Sequence, residues 1–321
     1  MNFQFTNPIL SCVRGDITQM KTDAIVNAAN TSLLGGSGVD GAIHRAAGPE
    51  LLHECRLIGG CKTGQAVITT GGKLPAKRVI HTVGPVWRAE TADRAAQLLT
   101  DCYFNVLSLA LENNLKTIAF PNISTGVYHF PKFDASLVAL RAVREFLAVY
   151  PDAFEQIIFV CYEADNYELY QMALEPLEFI PALRTEIERV FDGTPPPKVN
   201  WKQATLRDDY ISGGPEWEKA GASGWKGRWQ DIPDAYFSER TYQSEFNFLD
   251  PDGVLFYYPA CMVRHLRAVE QGSGQLHEGL WFAAQRPEDR FALFTLEQKS
   301  TVQRFWTWVT LSQDDGLLTK F

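Results

Sequence analysis

The chain has 321 residues, 45% of them apolar, 21% charged and 12% aromatic, and a formal charge of −8. That composition supplies a full core and excludes a disordered chain. Acidic residues outnumber basic ones in both halves, which argues against bulk nucleic acid as a partner, because phosphate binding needs a basic excess. In chain order, short β-branched runs alternate with helix-period stretches through residues 1–175, the pattern of an α/β domain whose sheet is covered on both faces. Strands are expected at Leu10–Arg14, Ala24–Ala28, Gln65–Thr69, Val79–Val83, Thr117–Phe120 and Gln156–Val160. Amphipathic helices are expected at Val39–Ala47, Asp93–Glu112 and Asp134–Tyr150.

Beyond about residue 178 the character changes. Pro195-Pro196-Pro197 and the Gly-rich stretch 213–227 appear, and seven of the eight tryptophans lie at or after Trp201. Two domains are therefore expected, 1–178 and 181–321, with the helical stretch Leu183–Phe191 in the second. Most of the aromatic residues Trp225, Trp229, Tyr236, Phe237, Tyr242, Phe246, Phe248, Phe256, Tyr257 and Tyr258 are expected to form that domain's own core. The six cysteines include no C-x-x-C pair and lie in apolar segments, so buried reduced thiols are expected, with no structural metal and no disulfide framework. No stretch reaches the ~20 apolar residues of a membrane helix, and MNFQFTNPIL lacks a leader's basic-then-apolar pattern, so a soluble, cytoplasmic protein without a membrane partner is expected.

Two Gly-rich loops stand out, residues 34–41 (Leu-Gly-Gly-Ser-Gly-Val-Asp-Gly) and 124–128 (Ser-Thr-Gly-Val-Tyr). Each follows an expected strand and leads into an expected helix. Successive backbone N–H groups can then converge on an anion, and two such loops suit a diphosphate. Either loop alone is equally a chain reversal, and neither fits a dinucleotide fingerprint or a P-loop.

The residues around these loops carry a specific resemblance. Gly15-Asp16-Ile17-Thr18, Asp23-Ala24-Ile25-Val26-Asn27-Ala28-Ala29-Asn30, Ala42-Ile43-His44-Arg45-Ala46-Ala47-Gly48, Val79-Ile80-His81-Thr82-Val83-Gly84-Pro85 and Ile118 to Gly126 resemble, in order, a macrodomain of the MacroD type. That group contains ADP-ribosyl hydrolases and O-acetyl-ADP-ribose deacetylases. The resemblance implies a three-layer α/β/α macrodomain with a mixed sheet, followed here by a smaller, mostly α-helical, aromatic-rich domain. The second domain faintly resembles a bacterial family of unknown function through Trp229-x-Asp231-Ile232-Pro233 and Tyr257-Tyr258-Pro259-Ala260.

Carried over residue by residue, the resemblance assigns Asp16 to the adenine amino group and Tyr162 to the adenine face. It assigns Ile17, Asn27, Gly36, Ser37, Gly38, Val39, Ser124, Thr125, Gly126, Val127 and Tyr128 to the rest of the ligand, and Asn30, Asp40 and His44 to catalysis at the distal ribose. Plainer roles stand beside these: Asp16 as a turn cap near Thr18, Tyr162 as a core tyrosine, Asn30 as a turn residue, Asp40 as the N-cap of a helix starting at Gly41, and His44 as a packed histidine. His44 lies four residues after Asp40, on the same helix face.

The implied partners are ADP-ribose, O-acetyl-ADP-ribose and mono-ADP-ribosylated protein, and the implied route needs no metal and no cofactor. Asp40 orients or deprotonates a water, and ester-linked ADP-ribose on Asp or Glu fits best because a carboxylate leaves without protonation. The alternative is a non-catalytic reader that holds ADP-ribose and localises the second domain. Two departures from the family pattern are Ser37 and His129, where glycine is usual. A β-carbon at His129 is strained if that position uses a positive φ.

Overall fold

The computed structural model describes residues 9–237, 245–272, 276 and 278–312. They divide into two compact units that meet at residues 176 and 177. In the described residues of the first unit six strands and five α-helices follow in the order β1 Leu10–Arg14, β2 Ala24–Ala28, α1 Gly38–Ala47, α2 Pro49–Ile58, β3 Ala66–Thr70, β4 Arg78–Thr82, α3 Ala92–Glu112, β5 Thr117–Phe120, α4 Lys132–Val149, β6 Gln156–Cys161 and α5 Ala164–Leu174. The sheet order is β1-β6-β5-β2-β4-β3, parallel throughout except for β3, which pairs antiparallel with β4. This is the mixed sheet that the resemblance implies.

Alternation along the strands sorts the two faces. Ile25, Val79, Ala119 and Ile158 pack with Ile43 and Ala47 of α1 and Leu51 and Cys55 of α2. On the other face Phe120 meets Tyr103 of α3, and Phe159 stacks on Tyr170 of α5. The sheet is thus sandwiched, and for that reason β5 and β6 read as nearly continuous apolar runs, while β2 and β4 each carry one inward polar residue, Asn27 and His81.

The expected strands hold, with β3 and β4 displaced by one residue. Helix α2 carries no readable apolar stripe, since Leu51 and Cys55 are its only buried residues. Pro49 at its start and Gly59 in the left-handed region at its end nevertheless bound it. The free cysteines are all buried, as the sequence led one to expect.

The second unit, described by itself, holds helices α6 Pro176–Val190, α7 Trp201–Asp208, α8 Pro215–Ala222, α9 Glu245–Phe248, α10 Pro251–Glu270, α11 Glu278–Ala284, α12 Pro287–Arg290 and α13 Leu296–Ser312. Helix α6 starts earlier than the expected Leu183, and Leu183, Ile187 and Phe191 are all buried. Trp229, Phe237, Phe246, Phe256, Tyr257 and Tyr258 are buried, whereas Trp225, Tyr236 and Phe248 are half-buried. Tyr242 lies outside the described residues. Some of the buried polar tips find partners: Trp229 Nε1 donates to Phe191 O at 2.8 Å and Trp306 Nε1 to the Tyr258 hydroxyl at 2.9 Å, whereas Trp308 Nε1 has none among the described residues.

Candidate active site

Strands β1, β2, β5 and β6 run parallel, so the segments leaving their carboxyl ends gather along one edge of the sheet, where α/β proteins place ligands. Residues 15–17, 28–30, 121, 122 and 124–128 and Tyr162 line a cleft there of about 770 Å³, together with residues 36–40 at the start of α1. That volume suits a small-molecule ligand.

At one end stands the carboxylate of Asp40. Ser37 is the N-cap of α1 with φ −97°, unstrained, and Asp40 lies inside the first turn. The N-cap role open to Asp40 is therefore corrected: the helix starts three residues earlier, where Gly38 supplies the positive φ of 60° at the loop's end. Asp40 is 4% exposed. Its Oδ1 accepts from Asn27 Nδ2 at 2.8 Å, and its Oδ2 accepts from Asn30 Nδ2 at 3.3 Å. Asn30 Nδ2 also donates to Gly35 O at 2.8 Å, and Asn30 Oδ1 accepts from the Ser32 backbone N–H at 3.0 Å, so this side chain shapes the loop as well as holding the carboxylate. Gly36 leans over the pair: a β-carbon there would sit 3.0 Å from Asp40 Oδ2.

His44 Nε2 lies 3.4 Å from Asp40 Oδ1 but out of hydrogen-bonding alignment, and the ring does not line the cleft. Its place suits electrostatic influence on Asp40 from behind. Asn27, assigned to the ligand by the resemblance, is corrected: it is fully buried and touches no part of the cleft. Asn27 interrupts a strand buried on both faces, so no apolar-polar alternation shows which way that side chain points.

The second loop turns tightly between β5 and α4. Phe130 N donates to Ser124 O at 3.0 Å and His129 N to Gly126 O at 2.9 Å, with Ser124 at φ 63° and His129 at φ 56°. The strain expected at His129 is thus present, whereas Ser37 carries none. Ser124 is 6% exposed and its hydroxyl has no partner among the described residues. Gly84 is held to glycine because a β-carbon would collide with that hydroxyl. Thr125, Gly126, Val127 and Tyr128 all face the cleft. Burial, and after it the charge of Asp40, raises the Tyr128 phenol above its usual range and keeps it protonated.

At the far end Asp16 Oδ1 accepts from the Thr18 backbone N–H at 2.9 Å and the Thr18 hydroxyl at 2.8 Å. The cap is real, and no bond among the described residues engages its second oxygen. Tyr162 is 80% exposed at the cleft wall and is not a core residue, so its ring is open to a flat ligand group. Arg45, Asn122, Glu163 and Asn166 line the cleft without having been singled out in the sequence. Asn166 is the most telling, 3% exposed with its Oδ1 unpartnered. Arg45 and Asn122 lie within the motifs that carry the resemblance, whereas only spatial proximity reveals Asn166.

His44, Cys55 and His81 bring one potential metal-ligand atom each within 4.8 Å of one another, a grouping the sequence spacing could not show. Both ring nitrogens of His81 are engaged, with Asn27 Nδ2 at 3.0 Å and Thr69 Oγ1 at 2.9 Å. Burial raises the Cys55 thiol to about 11, so it stays protonated. The donor set is thus poorly suited to a metal, which needs a free ring lone pair and a thiolate.

Residues 26–139 match the Macro domain family model, and residues 181–319 match a family of unknown function, DUF6714. The chain is 54% identical over 172 residues to ADP-ribose glycohydrolase MACROD2 of Xenopus laevis, covering 54% of this chain and 41% of that protein. It is 56% identical over 169 residues to O-acetyl-ADP-ribose deacetylase of Salmonella typhimurium, covering 51% of this chain and 93% of that protein. A solved Trypanosoma brucei macrodomain in complex with ADP-ribose is 47% identical, with TM-score 0.48, over 51% of this chain and 68% of that one. With a relative matched over nearly its whole length at 56% identity, the chain belongs, through its first unit, to the macro domain family.

Proposed function

We propose that this protein hydrolyses ADP-ribose esters, removing mono-ADP-ribose from Asp and Glu side chains and deacetylating O-acetyl-ADP-ribose. The names of the relatives support the reaction class. The observation that carries the reading is the two-sided grip on Asp40: Oδ1 is tethered beneath the site and Oδ2 is held by Asn30 at the cleft. A carboxylate so fixed is a positioned base.

Adenine lies against Tyr162 with its amino group toward Asp16, the diphosphate between the two loops, and the distal ribose over Asn30 and Asp40. A water held between the diphosphate and Asp40 gives a proton to Asp40 as its oxygen attacks. Attack at the anomeric carbon expels the target's carboxylate, and the bonding pair leaves with it. Attack at an ester carbonyl expels the ribose oxygen, which takes the proton back from Asp40.

The acidic residues lining the cleft are Asp16, Asp40 and Glu163. Asp16 stands at the adenine end, and Glu163 is paired with Lys132. No further carboxyl therefore stands beside Asp40 among the cleft residues, which favours esters over serine or arginine linkages, whose leaving groups need an acid. Replacement Asp40→Ala should slow turnover by at least ~10²-fold with ADP-ribose affinity nearly unchanged. Rate assays and calorimetry decide it, and undiminished turnover would remove Asp40 from the reaction.

A further inference from the structure

Beneath the cleft runs a chain of buried polar groups that the reaction itself does not use. Asn27 on β2 and His81 on β4 are register partners on parallel neighbouring strands, facing the same side of the sheet. Thr69 on β3 is the diagonal neighbour of His81, whose direct partner is Val67. Asn27 and His81 are 0% exposed and Thr69 2%. Hydrogen bonds connect them: Asn27 Nδ2 donates to Asp40 Oδ1 at 2.8 Å, Asn27 Nδ2 lies 3.0 Å from His81 Nδ1, and His81 Nε2 lies 2.9 Å from Thr69 Oγ1.

Chemistry fixes every proton in this chain. The atom of Asn27 facing the Asp40 carboxylate must be nitrogen, because an amide oxygen at that distance would be repelled. The same nitrogen then gives its second proton to His81 Nδ1, which must be the bare ring nitrogen. The ring proton sits on Nε2 and goes to Thr69 Oγ1, whose own proton is donated to Thr70 O at 3.1 Å. Asn27 Oδ1 is left buried without a partner among the described residues. An orphaned buried acceptor of this kind is destabilising, and it is tolerated here because the amide commits both its protons to Asp40 and His81.

We propose that His81 is a positioning residue for Asp40, acting through Asn27: by accepting one amide proton it locks the Asn27 amide in the orientation that donates the other to the carboxylate. Without an acceptor at that place, nothing holds the amide plane, and the Asp40 carboxylate loses its lower tether while keeping Asn30. The arrangement requires a neutral ring, since a proton on Nδ1 would face the amide N–H. Burial, reinforced by the neighbouring His44 ring, lowers His81 to about 3 and keeps it neutral.

The inference rests on the role proposed for Asp40, and the tests separate the two. In the full-length protein, 15N NMR of the histidine rings should show one imidazole protonated at Nε2 and bare at Nδ1, unchanged from neutral pH down to about pH 5. Its assignment is by loss in the His81→Leu variant or, should that fail to fold, by its coupling to the Thr69 and Asn27 neighbours. His81→Leu should lower kcat about tenfold or more, with KM and ADP-ribose affinity little changed. His81→Asn, whose Oδ1 falls close to the former Nδ1, should recover most of the kcat. A proton found on Nδ1 of His81, an unchanged kcat in His81→Leu, or equal losses in the Leu and Asn variants would overturn the inference. Normal turnover by Asp40→Ala would instead overturn the role of Asp40 and leave the protonation pattern of His81 standing.

Discussion

His129 carries a β-carbon at φ 56° on an exposed turn, and its ring does not line the cleft. A left-handed backbone costs an ordinary residue roughly 1–2 kcal/mol, and glycine's extra freedom in the unfolded chain returns about 0.5–1 kcal/mol of that difference. His129→Gly should therefore stabilise the first unit by about 0.5–1 kcal/mol and bind ADP-ribose at least as well. Urea unfolding and calorimetry check both, and weaker binding would show that the imidazole reaches the ligand. At this scale the residues that the resemblance singles out, Asn30, Asp40 and Tyr162 among them, do come to the cleft. The resemblance misleads at Asn27, which the motif contains but the sheet turns inward. It is silent for Asn166, which reaches the cleft only because α5 follows β6, the spatial neighbour of β5.

The elements are pinned at the end of the sheet opposite the cleft by Asp23. Its Oδ2 accepts from the backbone N–H groups of Lys116 and Thr117 at 2.8 and 3.0 Å, and its Oδ1 from Lys77 Nζ at 2.7 Å. One carboxylate thereby joins the starts of β2 and β5 to the approach to β4. The Lys77 hydrogen bond foremost, with the two backbone donors, holds Asp23 down at about 2, against an ordinary 3.8. A depressed carboxyl stabilises the fold above its unfolded value and loses that contribution as pH falls from about 4 through about 2. Discounted for solvent screening, the contribution is on the order of 1–2 kcal/mol. Asp23→Asn should lower stability by that amount at neutral pH and flatten the decline between pH 4 and 2. An identical acid decline in the variant would show that other carboxyls are responsible. The strands could be read in advance because burial makes them short, mostly apolar and β-branched runs between polar breaks. Helix α2 could not, because two buried side chains in ten residues leave no period to detect.

At the scale of the whole molecule, two units of unlike construction share one chain. The first is a sheet that delivers its loops to one edge. The second is, in its described residues, a helical assembly centred on Tyr257 and Tyr258, around which Trp201, Phe237, Phe246 and Phe291 meet largely edge to face. Tryptophan density and Pro-Gly punctuation made the change of character visible, because a small helical unit needs large side chains to fill its core. Hydrolysis of ADP-ribose esters is tested by release of free ADP-ribose by the full-length protein from substrates that differ only in linkage: Glu-linked, Ser-linked and Arg-linked mono-ADP-ribosylated protein, each with a chelator present. Rapid release is expected from the Glu-linked substrate and none above background from the other two. Release from all three at similar rates, or from none while ADP-ribose still binds, would contradict the proposed function.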